Sequence, residues 1–531
     1  MTEHTTQPSP IKTGTMQDDA DHSSVARGTG LAFLGRMGAL VEAVSFVAFA
    51  KLYGPVNFGF FVLLWSYVHV ASIVSDFGMT SALQRFAPLQ TSRDGTHKVL
   101  RNAIMVSLPI SLAFAALLFV LAPMAADVLQ TDEMPTPTLT AIIRIYVWAI
   151  PLWTFIDVAT AAIRAQRVFG PEIKVRVFYE QILRLVAGIL FFYIGWTTFG
   201  LFAAHLASFA ITVLLSIRLL RRHYRLSRII WPAHKRDHIR IPTMVRFGSS
   251  MILPNVSKKL HAYLPIYILK FAIPGATGIS IVAVYAMARK IVSVLQVIRD
   301  SFEYVLAPVA SAKKGAASYE SLGDIYAFAT RFICASFIPA ATIILVFGSD
   351  LLATAGPEFV AGFTALAILV AGRLVEASTG PSSAIISMIG RYRLPLFNAL
   401  AGISATGLLL LFLAPPFGIE GAAVAAAVGI NVTSIAALTQ VHIYHDLRAF
   451  NRRLLRPVLI SLMLSILMAG MILLAAKIHI IVKIVAGVLG LATALLLLLR
   501  YGFDERDLAA LLPNGKPELL ARLTNRQKKP T

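Results

Sequence analysis

From about residue 30 to residue 500 the chain alternates long apolar runs, almost free of charge, with short polar stretches. A helix needs about 20 apolar residues to cross the hydrocarbon core of a bilayer. No water reaches the backbone there, so its N–H and C=O groups must pair within the segment, and each run is predicted to be helical. Fourteen spans are expected, at roughly 29–50, 57–79, 99–122, 140–162, 177–195, 199–219, 245–270, 279–309, 326–347, 359–388, 394–413, 419–442, 455–476 and 479–500. The expected fold class is an all-α integral membrane protein. Pro109, Pro151, Pro254, Pro265 and Pro339 fall inside spans, where proline predicts a tolerated kink or a hinge.

The polar connections divide into two sets. Lysine and arginine collect in alternate connections, at 85–101, 164–176, 218–240, 313–314, 391–393 and 448–456, and in the tail at 522–529. The intervening loops hold few cations beyond Lys51, Lys270, Lys477 and Lys483, and the one at 127–133 is acidic. Cation-rich loops stay in the cytoplasm, so an even number of spans with both termini inside is expected, in a bacterial inner membrane. Residues 1–27 read as a disordered cytoplasmic tail without the apolar core of a signal peptide. Residues 501–531 form a second tail, whose leucines at 503–523 suit the membrane surface. No loop exceeds about 30 residues. A folded domain needs roughly 50 or more, so no soluble catalytic domain is expected and the chain does not read as an enzyme.

Composition agrees, with 57% hydrophobic and only 14% charged residues. The net charge of +21 would suggest nucleic acid, but its confinement to alternate loops is a topology signal. No nucleic-acid partner is expected. A single cysteine, Cys334, excludes an internal disulfide and a paired-cysteine metal site. Asn514-Gly515-Lys516-Pro517 lacks the upstream glycine and the hydroxyl residue of a phosphate loop, and Gly28-x-Gly30 follows no strand. Asn255 and Asn431 match glycosylation sequons only by chance, inside spans.

Two halves repeat at an offset of about 220 residues. Lys51 with Phe58-Gly59 matches Lys270 with Thr277-Gly278, Phe86-Ala87-Pro88 matches Leu306-Ala307-Pro308, and Gly200 matches Gly421. Six spans per half give two lobes of the same orientation, related by an axis along the membrane normal, with a site between them near the midplane. The expected organisation is a first lobe at 28–220, a basic linker at 221–243, a second lobe at 244–443 and two extra helices within 444–500.

Charges inside spans are costly and mark candidate sites. Arg36 and Glu42 lie in the first span, and Asp157 in the fourth. Lys258, Lys259 and His261 lie in the seventh, Arg289 and Lys290 in the eighth, and Arg373 and Glu376 in the tenth. No acid close in sequence neutralises the cations of the seventh and eighth spans, so a wet central cavity is expected. Glu180/Arg184 and Arg299/Glu303, each four apart, read as structural ion pairs. Asp157 and Glu376 fall at matching places in the two halves.

Lys51, Gly54-Pro55 and Phe58-Gly59, followed by Asp76-Phe77-Gly78 and Ala82-Leu83-Gln84-Arg85, resemble the first hairpin of the polysaccharide (Wzx-type) flippases. These belong to the multidrug/oligosaccharidyl-lipid/polysaccharide exporter superfamily. Tyr53 departs from the usual leucine, and Gly418-Ile419-Glu420-Gly421 fits the opening of the twelfth span. The resemblance covers residues 28–500 and implies an alternating-access carrier. Its expected cargo is an undecaprenyl-pyrophosphate-linked oligosaccharide, supplied by glycosyltransferases and consumed by a polymerase for a surface or exopolysaccharide. Arg36, Lys258, Lys259, Arg289, Lys290 and Arg373 are then the expected contacts to the anionic headgroup. Asp157, Glu376 and Glu42 are the expected ion-coupling groups, with a proton or sodium as the ion and no other cofactor. The rivals are a cation-coupled drug exporter of the same superfamily and a membrane polymerase or glycosyltransferase. A cationic centre disfavours the first and short outer loops the second.

Overall fold

A computed structural model describes residues 38–90, 92–166, 174–225, 227, 240–312, 316–389, 393–476 and 478–503. Arg36, both tails and most of the basic linker lie outside these residues. Among them the chain is helical throughout, with no strand beyond a lone bridge between Thr131 and Met134. In chain order the helices are α1 (Gly38–Ser75), α2 (Met79–Phe86), α3 (Arg93–Leu129), α4 (Thr136–Tyr146) and α5 (Ala149–Ala165). A π turn at Lys174–Tyr179 leads into α6 (Glu180–Tyr193), followed by α7 (Gly200–His223). The second half holds α8 (Ile241–Ala272), α9 (Gly275–Ala312), α10 (Ala316–Val346), the short α11 (Gly348–Ala353), α12 (Phe363–Ser378), α13 (Ser382–Ile389) and α14 (Arg393–His445). Two last helices, α15 (Leu455–Ala476) and α16 (Ile480–Gly502), close the chain.

Ten helical segments are long and apolar enough to span. Two of them must cross twice. α14 has 53 residues, about 80 Å of helix against a hydrocarbon core of about 30 Å. It breaks at Gly418 (φ 53°, ψ −123°), and α1 breaks at Gly54 (φ 75°, ψ 168°). Both conformations need a residue without a Cβ. The remaining spans are the π turn with α6, and α8, whose charged residues lower its hydropathy. Among the described residues this gives the fourteen expected spans. Pro109, Pro254, Pro265 and Pro339 sit inside continuous helices, so the breaks fall at glycines instead.

One apolar core crosses the boundary between the halves, joining Phe46, Phe58 and Phe61 of α1 to Ile279 and Tyr285 of α9 and to Phe359. Away from the basic loops, Phe58 meets Phe359 edge-on at 6.3 Å, and Gly59 lies against the Ile279 backbone. Towards the basic loops, the α1–α2 turn packs backbone to backbone on Gly248 of α8. Beside it Arg85 covers the Phe247 ring at 4.5 Å, and Asn255 donates to the Ser81 hydroxyl at 3.4 Å. The halves thus touch at both ends of the seam.

α15 and α16 pack on α10 of the second half. Ser461 donates to the Ala335 carbonyl at 2.5 Å, Phe503 stacks on Phe332 at 5.3 Å, and Lys483 forms an ion pair with Asp350. Their outer faces expose Leu462, Met463, Ile466, Leu467 and Leu474, an apolar surface suited to lipid.

Candidate functional site

The seam between the halves carries the charged residues. Glu42 of α1 forms an ion pair with Lys290 of α9, which also lies 5.4 Å from the Phe46 ring. No acid close in sequence stands beside Lys290, and its counter-charge is supplied from a distant part of the chain. The acid comes from the other half, so the pair ties the two lobes together.

Arg289 and Lys259 are different. Among the described residues neither has an acid within ion-pair distance. Arg289 lies 5.6 Å from the Tyr263 ring, and its buried Nε has no hydrogen-bond partner. Lys259 is on α8 with its side chain exposed. Tyr263, one turn further along α8, meets His69 Nδ1 of α1 at 2.8 Å, and His69 stacks on Trp153 at 4.1 Å. Lys258 is part of α8, but its side chain lies outside the described atoms.

Asp157 of α5 pairs with Arg176 of the π turn. A π turn inserts extra backbone and re-aims the side chains around it, and such turns recur at functional sites. Glu180 and Arg184 follow it, both buried. They do not close the expected pair. Arg184 donates to Gln181 and lies 4.9 Å from the Trp65 ring.

Glu376 of α12 is held from two sides. Arg373 donates to it at 2.6 Å from one turn away, and Arg299 of α9 reaches it across the lobe. Arg299 also binds Glu303 at 2.9 Å, so the expected local pair forms but belongs to a larger network. Gln296 joins it when its amide oxygen faces Arg373, at 2.6 and 2.8 Å. The two carboxylates sit in corresponding helices, yet take their arginines from different places in each half. Sequence reasoning missed Arg176 and the second role of Arg299. The one available signal was that each is an arginine within or beside an otherwise apolar span.

The acids Glu42, Asp157 and Glu376 are thus each satisfied by cations, while Lys259 and Arg289 are not. The surplus at the seam is positive, which suits an anion with several acceptor oxygens.

A family described as "Polysaccharide biosynthesis protein" matches residues 25–312. No curated protein sequence matches the chain. Among solved structures, the lipid II flippase MurJ in its inward closed conformation superposes with a TM-score of 0.69 at 12% identity, over 88% of this chain and 98% of that one. An inward-facing multidrug resistance MATE family transporter of the MOP superfamily gives 0.59 at 15% identity, over 81% and 98%. A MOP superfamily transporter from Pyrococcus furiosus, described by a reversed polarity of its binding pocket, gives 0.58 at 16% identity, over 80% and 96%. At these identities the likeness shows the fold.

Proposed function

Because the chain belongs to the polysaccharide biosynthesis protein family, we propose that this multi-pass MOP-superfamily transporter flips an undecaprenyl-pyrophosphate-linked oligosaccharide across a bacterial inner membrane. Both termini and the basic loops face the cytoplasm, and the product feeds a surface or exopolysaccharide. The observation that carries this reading is the pair of uncompensated cations, Lys259 and Arg289, on facing helices of the interlobe seam. A pyrophosphate offers the oxygens they lack. Lys290 is available only when Glu42 releases it, and Arg36 and Lys258 are further headgroup contacts proposed from the sequence alone. Arg373 is held by Glu376 and serves the carboxylate network instead of the headgroup. A drug exporter for cations is the weaker reading, because Glu42, Asp157 and Glu376 are each paired with a cation and Asp76 is bonded to Thr80. This leaves buried Glu180 as the one acid of this set without such a partner among the described residues. Glycosyltransferases on the cytoplasmic side and a polymerase on the other are the partners that this chemistry requires.

The test is flipping of a fluorescent lipid-linked oligosaccharide in proteoliposomes. Hydrogen bonds to charged groups are worth about 1.5–3 kcal/mol. Lys259→Ala and Arg289→Ala should each slow flipping roughly tenfold or more, with Lys259→Arg retaining part of the rate. Unchanged flipping in both alanine variants would refute the electrostatic role.

Coupling is assigned to the carboxylates. A carboxylate that changes its neighbours between inward and outward states can bind and release a proton or exchange a sodium ion. Asp157→Asn should lose stimulation by an imposed pH or sodium gradient while basal flipping continues. Stimulation that persists in the variant would remove Asp157 from coupling.

Orientation has its own check. In a Cys334→Ala background, Glu133→Cys should react with an impermeant thiol reagent from the periplasm and Arg222→Cys should not. The reverse pattern would invert the topology.

A further inference from the structure

A polar cavity of about 230 Å³ lies inside the second half, between α8, α9, α12, α13 and α14. The carboxylate network forms one wall, through Arg299, Glu303 and Glu376, with Asp300 and His261 beside them. Ser257 of α8 and Ser434 of α14 form part of the other. Both serines are only 2% exposed, and among the described residues no hydrogen bond from either hydroxyl is seen. A hydroxyl in a spanning helix ordinarily bonds back to a carbonyl one turn earlier, as Thr433 does to Gly429 at 3.2 Å. Two buried serines without a partner among the described residues, beside a polar cavity, call for a hydrophilic occupant.

The wall restricts what that occupant can be. Arg299 places a fixed positive charge there, which opposes a bare metal cation. Asp300, Glu303 and Glu376 oppose a phosphate or a uronate. Carboxylates only accept hydrogen bonds, a guanidinium only donates, and hydroxyls do both. A ligand dense in hydroxyl or amide groups satisfies all three kinds at once, and the volume accommodates one hexose ring. The position also fits a substrate held elsewhere by its headgroup. α9 carries Arg289 at the seam and Arg299 at the cavity, ten residues apart, or about 15 Å along the helix axis. That separation matches a pyrophosphate bearing one or two sugars.

We propose that this cavity is a sugar subsite, which takes a neutral or N-acetylated hexose of the lipid-linked chain while Lys259 and Arg289 hold its pyrophosphate. The inference rests on the flippase reading and adds a selectivity that the headgroup cannot supply. Carriers of one lipid must tell oligosaccharides apart by their sugars, and this wall disfavours acidic ones.

Binding to the purified protein in nanodiscs tests it, with two probes: undecaprenyl pyrophosphate and its N-acetylhexosaminyl derivative. The unmodified protein should bind the sugar-bearing probe at least tenfold more tightly. The Ser257→Ala/Ser434→Ala variant removes no hydrogen bond seen among the described residues, and its thermal unfolding midpoint should stay close to that of the unmodified protein. It should lose about tenfold affinity for the sugar-bearing probe and none for the other. Equal binding of the two probes by the unmodified protein, or an equal loss of both in the variant, overturns the subsite and leaves the anion site standing. Binding of neither probe overturns the flippase reading itself. A sodium-dependent gain in thermal stability that Glu303→Gln abolishes would place a cation in the cavity and also overturn the proposal.

Discussion

Glu376→Gln is expected to destabilise the protein by roughly 3–5 kcal/mol, the usual penalty for removing one member of a buried ion network. Arg373 and Arg299 both point at this carboxylate, and side-chain exposure is 12% for Glu376 and 8% for Arg299. Glutamine keeps the shape but leaves the two guanidinium groups facing a neutral amide. Arg299 retains Glu303, so Arg373 is the more exposed to the loss. The measurement is the thermal unfolding midpoint of purified protein in detergent. Arg299→Met alone should also destabilise, but the double variant should lose less than the two single losses added together. Strict additivity would show that the network carries no coupling. In proteoliposomes the same Glu376→Gln variant, assayed below its midpoint, should lose gradient-driven flipping.

Gly78→Ala should open the end of the seam that faces the basic loops. Gly78 has φ +69°, where an L residue is disfavoured by roughly 1–2 kcal/mol. The larger effect is steric. A Cβ there would lie 2.1 Å from the Gly248 carbonyl oxygen. That atom is backbone on the other lobe and cannot swing aside, so the lobes themselves must part. Gly248→Ala should do the same, since its Cβ would meet the Phe77 carbonyl at 2.5 Å. The readout is labelling of Asn255→Cys, in the Cys334→Ala background, by an impermeant thiol reagent added to inverted vesicles. Either alanine should raise the rate about tenfold. An unchanged rate would mean that this contact does not seal the pathway.

Much of the architecture was legible in the sequence because lipid imposes a length rule on each span. Fourteen apolar runs gave fourteen crossings, and Gly54-Pro55 and Gly418 marked where two long helices had to break. The site was less legible because its partners come from different helices. Glu42 and Lys290 are near neighbours only once α1 lies against α9. Arg299 and Glu376 are 77 residues apart, and no periodicity connects them. The four-residue rule found Arg299 with Glu303 but gave the wrong partner for Arg184, which turned to Gln181 on its own helix. The π turn that presents Arg176 to Asp157 had no sequence signal, since an extra backbone residue leaves the apolar pattern nearly unchanged. The cavity escaped notice for a related reason. Its serines lie on α8 and α14, far apart in the chain, and only the fold brings them to one cavity.

The attachment of α15 and α16 to α10 and α11 of the second half makes the two lobes unequal partners in any rocking motion. One lobe turns as six helices. The other turns as eight, fastened by the Lys483–Asp350 pair and the Phe332–Phe503 stack. A body embedded in a viscous, two-dimensional fluid meets drag that grows with its perimeter. The heavier lobe therefore serves as the anchor, and the first lobe is expected to sweep the larger angle relative to the surrounding lipid.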